Sequence, residues 1–350
     1  MTQYSCGLDE VRISALIASH GRDAVGKAIS SALNQTMADE LYEVIVVADT
    51  HIPALKEYED HPKVHLKYTD KKDPGGKWAD AIDMAQGEIL CFLDDDDEWT
   101  PDKLASVDRT FSSAKSLGYY HNSHVSIDYD NTILENFPEL RHYYTIAKIG
   151  NFSTMDKPES RTNFQLMSAL GAPFNSSCIS LRREILAPYV DFLRKGKWMV
   201  DYFWFYAFAI SKFDILIDDK ALTLYRRRND AKGDLLNNIR NSRNQKITIY
   251  QRYLDSHRAY VQMVLGYPIE KYIKWLISKI ELMLDMYSNE ANDISKLISM
   301  RDMLKYLPMS SKTGFLSSVL LGITASISFL SKKASMGLAI GLERLGLSLL

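Results

Sequence analysis

The stretch Glu88-Ile89-Leu90-Cys91-Phe92-Leu93-Asp94-Asp95-Asp96-Asp97-Glu98-Trp99 decides the fold, because an apolar, β-prone run ends abruptly in four aspartates and a glutamate. Like charges at that density repel one another unless water, cations or a ligand answer them. A strand that delivers carboxylates to its C-terminal end places them where open α/β sheets bind ligands. Hard oxygen donors there suit Mg²⁺ or Mn²⁺, which keep waters and bridge to substrate phosphates. Read alone, the run also fits a solvated acidic turn ahead of a helix, with Thr100 as N-cap and Pro101 at the first helical position. What precedes it favours the first reading.

Upstream, strand and helix patterns alternate. Residues 11–18 (VRISALIA) form a continuous apolar strand, and Ala24, Val25, Ala28, Ile29, Ala32 and Leu33 then recur at helical spacing. Residues 43–48 (EVIVVA) give a second buried strand, and Val64, Leu66 and Tyr68 alternate as a third. Trp78, Ala81, Ile82 and Ala85 predict a helix that Gly87 ends as its C-cap. The run into the aspartates is the fourth strand. This alternation over residues 1–120 predicts βαβ units and a mostly parallel sheet.

Downstream, Val125, Ile127 and Tyr129 suggest a strand, and residues 130–175 are polar, aromatic and broken by Pro138, Pro158, Gly171 and Pro173. Loops of that length in a compact domain are functional or disordered. Residues 177–181 (SCISL) read as a strand, with a helix from about Arg182. Residues 199–211 are an apolar helix carrying one acid, Asp201. Residues 215–217 and 222–225 read as short strands, the second running into Arg226-Arg227-Arg228. From 237 the texture becomes helical (237–265, 268–287, 291–306), and 314–350 is apolar and poor in charge. Its run from Gly314 to Ser331, flanked by lysines, is short for a span, since about 20 apolar residues are needed. It suits an amphipathic helix at a membrane surface, or a face packed on the core or on a second subunit.

Composition excludes other classes. Lys+Arg 42 against Asp+Glu 44 gives a net charge of −2, so no basic field recruits nucleic acid. Cys6, Cys91 and Cys178 are too few for a disulfide framework and too scattered for a metal knuckle, which fits a reducing, cytoplasmic setting. Met1-Thr2-Gln3-Tyr4 carries no signal-peptide pattern.

Several of these pieces, in this order, resemble the family-2 glycosyltransferases of GT-A fold, which transfer a sugar from a nucleotide-sugar donor. The family opens with a strand, a short turn with an arginine, and a helix ending in an S-x-L-x-Q-T-like run. Here these are Ser14-Ala15-Leu16-Ile17-Ala18, then Ser19-His20-Gly21-Arg22, then Ser31-Ala32-Leu33-Asn34-Gln35-Thr36. The strand Glu43 to Asp49 matches one whose terminal aspartate contacts the nucleoside. Ala81 to Trp99 looks like the family's helix, Gly-Glu, strand and D-x-D block. The sequence departs from the pattern at Ala18 and His20-Gly21, and at Gly75-Gly76-Lys77-Trp78, where the family commonly has Ala-Arg-Asn.

The resemblance implies an α/β fold: a Rossmann-like, mostly parallel sheet flanked by helices, with an all-helical C-terminal extension. Residues 1–235 would be the catalytic domain (nucleotide-sugar half 1–120, acceptor half 121–235), 236–312 a helical extension and 313–350 the apolar tail. It implies an inverting transfer from a UDP- or GDP-type donor to a saccharide or lipid-linked acceptor, on the cytoplasmic side and in reach of a membrane. Asp96 would be the direct metal ligand and Asp94 a ligand or ribose contact, with a register uncertain by one. Ser19, Arg22, Asp49, Asp95 and Arg226 would meet the nucleotide sugar. Lys77 reads either as a phosphate contact or as a surface lysine, and Arg226 either as a diphosphate contact or as part of a basic turn paired with Asp218-Asp219. Asp201 would be the base that takes the acceptor proton, its aromatic setting acting to raise its pKa and the helix N-terminus acting to lower it, or else a helix N-terminal acid with no chemistry. A nucleotidyltransferase of related fold and a non-catalytic nucleotide- or sugar-binding relative are the rival readings. An Asp-rich prenyl-diphosphate enzyme fails because its motif sits on a helix, whereas a strand precedes this one.

Overall fold

The computed structural model describes residues 11–134, 172–227 and 243–287. Most of the loop expected over 130–175, Arg228, the helix expected over 291–306 and the apolar tail lie outside the described residues. The chain divides into two compact units: residues 1–156 with 166–227, and residues 157–165 with 228–350.

The first unit is built on strands β1 (Ile13–Ser19), β2 (Tyr42–Ala48), β3 (Val64–Tyr68), β4 (Ile89–Asp94), β5 (Glu98–Trp99), β6 (Leu117–Ile127), β7 (Ile179–Arg182) and β8 (Asp214–Arg226). Its helices are α1 (Val25–Leu33), α2 (Pro53–Lys56), α3 (Pro74–Met84), α4 (Lys103–Ser113), α5 (Arg183–Leu186), α6 (Val190–Gly196) and α7 (Val200–Ala209). One sheet runs β3-β2-β1-β4-β7-β6-β8-β5. Strands β3, β2, β1 and β4 are parallel, β7 is reversed against both β4 and β6, and β6 and β8 are parallel again. The sheet is α/β as expected, and mixed beyond β4.

The apolar strands have no polar face because both faces are covered. Ile13, Ala15 and Ile17 of β1, Val44 and Val46 of β2 and Cys91 and Leu93 of β4 join Val25, Ile29 and Ala32 of α1 and Leu104, Val107 and Phe111 of α4 in one core. The opposite face carries Phe92, whose ring stacks on Trp204 of α7 at 4.3 Å and meets Trp78 of α3 edge-on at 5.4 Å. Asp73 caps α3 by accepting from the Gly76 amide at 2.8 Å, and Pro74 opens the helix. A side chain on Gly75 would lie 2.6 Å from the Leu193 carbonyl oxygen, so glycine lets α3 approach α6.

Several boundaries differ from the sequence reading. Helix α3 ends at Met84 with Ala85 as C-cap, and Gly87 serves a close approach instead, 2.6 Å between a would-be Cβ and the Ser14 nitrogen. Asp102, not Thr100, precedes α4. Ser176–Cys178 form a 3₁₀ turn, so the strand begins at Ile179. The two short strands are one, β8, because both halves pair with β6 across register shifts.

In the second unit, α8 (Arg243–Val261) and α9 (Glu270–Tyr287) bury Tyr250, Leu254, Trp275, Leu276, Ile280, Met283 and Tyr287. Among the described residues no helix is long and apolar enough to cross a membrane.

Candidate functional site

The parallel ladder brings two strand ends together. Register pairs Ala18 of β1 with Asp94 of β4, so Ser19 and Asp95 meet just beyond, at the point where strand order reverses. The Ser19 hydroxyl donates to Asp95 Oδ2 at 2.9 Å, and the His20 amide donates to the same oxygen at 2.8 Å. Arg22 Nη1 donates to Asp95 Oδ1 at 3.0 Å and lies 2.5 Å from Asp96 Oδ2. Gly21 makes the intervening turn at φ 72°, a conformation in which glycine alone is unstrained.

Asp97 is tied in the other direction. Its Oδ2 accepts from the Ser177 hydroxyl at 2.6 Å and its Oδ1 from the Arg226 amide at 2.8 Å. Asp95 and Asp97 are only 2% and 1% exposed, so each is a desolvated carboxylate satisfied by the scaffold around it. Alternate members of the run thus fasten the turn to β1 on one side and to β8 on the other. Asp94 and Asp96 are the members not enclosed in this way, and 21% of the Asp96 side chain is exposed.

Burial and the carboxylates of Asp201, Asp97, Asp96 and Asp95 push Asp94 well above the ordinary carboxylate range. Burial and then Asp96 push Asp97 up to about 7, against the bonds from Ser177 and Arg226. A divalent cation beside Asp94 and Asp96 would relieve this repulsion, and an all-oxygen donor set suits Mg²⁺ or Mn²⁺. Among the described residues no three acidic, histidine or cysteine side chains close into a ready metal cage. The residues therefore fit an ion held by one or two carboxylates, with diphosphate oxygens and water completing its shell.

Asp201 sits in the first turn of α7. The chain reaches it through two residues in the left-handed region, Lys197 (φ 66°) and Met199 (φ 53°). Burial raises Asp201 to about 6, although the Ser176 hydroxyl donates to its Oδ1 and pulls the other way. A carboxylate with that affinity is matched to accepting a proton near neutral pH.

On the β2 side, Asp49 closes the strand with its carboxylate accepting from Lys77 Nζ at 2.8 Å and from the Thr50 hydroxyl at 3.0 Å. Burial alone would raise Asp49, but Lys77 and Thr50 hold it below the usual carboxylate value. Lys77 is not a surface lysine. It is 0% exposed, and its ammonium also donates to the Ser19 carbonyl at 3.0 Å and lies 2.6 Å from His20 Nδ1. It bolts α3 to the ends of β1 and β2.

Breaking such a buried pair leaves an uncompensated charge and costs about 3–5 kcal/mol. Lys77→Met is therefore expected to lower Tm by roughly 10 °C, with part of the loss recovered in the Lys77→Met/Asp49→Asn double variant. An unchanged Tm with weakened nucleotide binding would support the phosphate-contact reading.

Three further residues expected at the nucleotide sugar are buried and bonded within the fold. Ser19 is 0% exposed, donating to Asp95 and accepting from the Gly21 amide at 3.0 Å, so its hydroxyl holds the loop. Asp95 is occupied on both oxygens as described above. The Arg226 side chain is 1% exposed and is not paired with Asp218-Asp219. Its guanidinium donates to the Asp96 carbonyl at 2.8 Å, the Asp128 carbonyl at 2.6 Å and the Glu98 carboxylate, which clamps the aspartate turn from beneath. Arg22, with 39% of its side chain exposed, is the guanidinium at the site's surface.

Sequence reasoning missed Ser176 and Ser177. No periodicity or charge marks two serines ahead of a strand, and only the reversed pairing of β7 with β4 carries them to the aspartates.

Residues 14–185 match the family model described as Glycosyl transferase family 2. An uncharacterized glycosyltransferase of Nostoc sp. is 28% identical over 130 residues, which are 35% of this chain and 40% of that protein. Escherichia coli WfaP, a UDP-Glc:alpha-D-GlcNAc-diphosphoundecaprenol beta-1,3-glucosyltransferase, is 23% identical over 189 residues, 53% of this chain and 71% of that one. The chain thus spans less than half of the first relative and about seven-tenths of the second. Among solved structures, S. aureus TarS 1-349 in complex with UDP-GlcNAc has a TM-score of 0.59 at 11% identity, covering 91% of both chains. That likeness is one of fold.

Proposed function

We propose, on the premise that this chain belongs to glycosyl transferase family 2 through its residues 14–185 and has the GT-A fold, that it moves a sugar from a nucleotide-diphosphate donor to an acceptor hydroxyl by a single inverting displacement. The observation that carries this reading is the meeting of two kinds of carboxylate in one site. Asp94 ends β4 and Asp201 opens α7, yet two adjacent serines join them, the Ser176 hydroxyl donating to Asp201 Oδ1 and the Ser177 hydroxyl accepting from the Asp94 amide at 3.0 Å. Glycosyl transfer needs both: one end to face a diphosphate and another to accept a proton.

Asp201 takes the proton of the acceptor hydroxyl as the acceptor oxygen bonds to the anomeric carbon. The bond from that carbon to the diphosphate oxygen breaks in the same step, and nucleoside diphosphate leaves. Asp94 and Asp96 would hold a divalent cation, Mg²⁺ or Mn²⁺, which when bound neutralises charge on the leaving diphosphate. Arg22 adds a fixed positive charge beside Asp96, and Asp49 is the candidate nucleoside contact at the end of β2. The UDP-Glc donor and diphosphoundecaprenol-linked acceptor of WfaP, and the UDP-GlcNAc held by TarS 1-349 in its complex, support a UDP-type donor and a lipid-linked saccharide acceptor.

A thermal-shift screen of UDP- and GDP-sugars with Mn²⁺ tests the donor, since ligand at 100 times its Kd stabilises by about 2.7 kcal/mol. Release of nucleoside diphosphate is expected on adding acceptor. Pyrophosphate as the product would instead make this a nucleotidyltransferase, and donor binding without turnover would make it a non-catalytic relative.

The tail 313–350 extends the proposal to a membrane surface. Its apolar run and flanking lysines would add roughly 1 kcal/mol per lysine near anionic headgroups. Full-length protein should co-sediment with anionic liposomes and a chain ending at Lys312 should not. Equal partitioning, with the longer chain dimeric and the shorter monomeric, would assign the tail to a subunit interface.

A further inference from the structure

Two adjacent buried serines touch both halves of the site. Ser176 and Ser177 are each 0% exposed, in a turn opened by Asn175 at φ 66°. Because β7 runs antiparallel to β4, pairing Cys91 with Ser180, the residues ahead of β7 lie beside the C-terminal end of β4.

The Ser176 hydroxyl donates to Asp201 Oδ1 and accepts from Trp204 Nε1 at 3.2 Å. Trp204 stands three residues beyond Asp201, on the same side of α7, and its ring lies 14° from parallel with that of Phe92, two residues before Asp94. The Ser177 hydroxyl donates to Asp97 Oδ2 at 2.6 Å and accepts from the Asp94 amide at 3.0 Å. The rest of Ser177 is equally committed. Its amide donates to Asn175 Oδ1 at 3.0 Å, and its carbonyl accepts from Trp99 Nε1 and from the Thr223 hydroxyl, both at 2.9 Å. Every polar group of this residue is therefore fixed by the fold.

We infer that Ser176 and Ser177 are a positioning pair that sets the distance between the Asp201 carboxylate and the Asp94–Asp96 turn, with Ser176 orienting the first and Ser177 the second. The inference rests on the reading of Asp201 as base and Asp94 with Asp96 as the diphosphate end. Consecutive Cα atoms are about 3.8 Å apart, so the dipeptide is a short, inextensible link between elements otherwise distant in sequence. Neither hydroxyl reaches the reacting atoms. Both act through carboxylates, and a misplacement of about 1 Å in such a site costs on the order of 100-fold in rate. Ser176 holds the Asp201 carboxylate through its backbone as well as its hydroxyl.

The test uses the full chain with two readouts. One is turnover of the donor identified by thermal shift, and the other is calorimetric binding of UDP or GDP with Mn²⁺, which needs no turnover. Ser176→Ala is expected to lower kcat about 10- to 100-fold while nucleotide affinity and donor KM stay within about twofold. In an Asp201→Asn background it should cause no further loss, and Ser176→Thr should restore most of the rate. Ser177→Ala should weaken Mn²⁺-dependent nucleotide binding about tenfold or more, with Ser177→Thr recovering it. Parallel loss of rate and binding in both alanine variants that tracks a lowered Tm would overturn the inference in favour of packing, as would wild-type values in both. Additivity of Ser176→Ala with Asp201→Asn would overturn the Ser176 half. Full activity of Asp201→Asn would remove the base reading itself, and the Ser177 half would still be read by calorimetry.

Discussion

Asp96→Ala is expected to abolish transfer while the protein stays folded. Asp96 is the more exposed of the two carboxylates that Arg22 meets, with 21% of its side chain accessible against 2% for Asp95. Its loss leaves Arg22 paired with Asp95 at 3.0 Å. Because the Asp96 side chain is partly exposed and Arg22 keeps a partner, Tm should move little. The diphosphate end, in contrast, loses one of the two carboxylates that would hold the cation. Removing one preorganised electrostatic partner from such a site costs about 10²–10³ in kcat, and loss of the cation costs more. Calorimetry should show that Mn²⁺ no longer promotes nucleoside diphosphate binding. The contrast with Asp97→Ala is part of the expectation. That substitution strips partners from the Ser177 hydroxyl and the Arg226 amide, and it should lower Tm clearly. Full activity of Asp96→Ala in EDTA would remove the metal assignment.

Asp201→Asn should leave donor affinity nearly unchanged and lower kcat by about 10²–10⁴, the range for loss of a general base. The amide keeps the size and the Ser176 contact but cannot accept the acceptor proton. The pH profile gives a second measure. With Asp201 raised to about 6, the active form is the deprotonated one, so kcat/KM should rise as pH increases through about 6 and level off above it. In Asp201→Asn that acidic limb should vanish, leaving a low, flat rate. Lost donor binding in calorimetry would move Asp201 to a nucleotide or structural role.

Much of the first unit was legible because its signals are local. Continuous apolar runs at β1, β2 and β4 follow from burial on both faces, and the 3.6-residue recurrence at Val25, Ile29 and Ala32 follows from one buried stripe on α1. The extent of β8 was not legible. Asp218, Asp219 and Lys220 interrupt its apolar pattern and stand partly or fully exposed, and only the pairing of Ile217 and Ala221 on either side with β6 makes one strand of the two halves. Ser177 looked like the start of a strand and Ser176 like the residue before it, because nothing nearby in sequence announces that the hydroxyls have carboxylate partners.

The sequence by itself determined that a strand of this chain ends in a dense carboxylate cluster at the ligand-binding edge of an α/β sheet, since hydrophobic period and charge density are properties of neighbouring residues. Only the tertiary structure decided which carboxylates are tied into the scaffold. Asp95 is fixed by Ser19, 76 residues away, and Asp97 by Arg226, 129 residues away. Lys77 and Arg226 look like free cations in the sequence, yet the packing of α3 and β8 buries them against Asp49 and Glu98. A buried charge must find a partner wherever the fold supplies one, and that partner is set by strand register and helix packing, which no local pattern encodes.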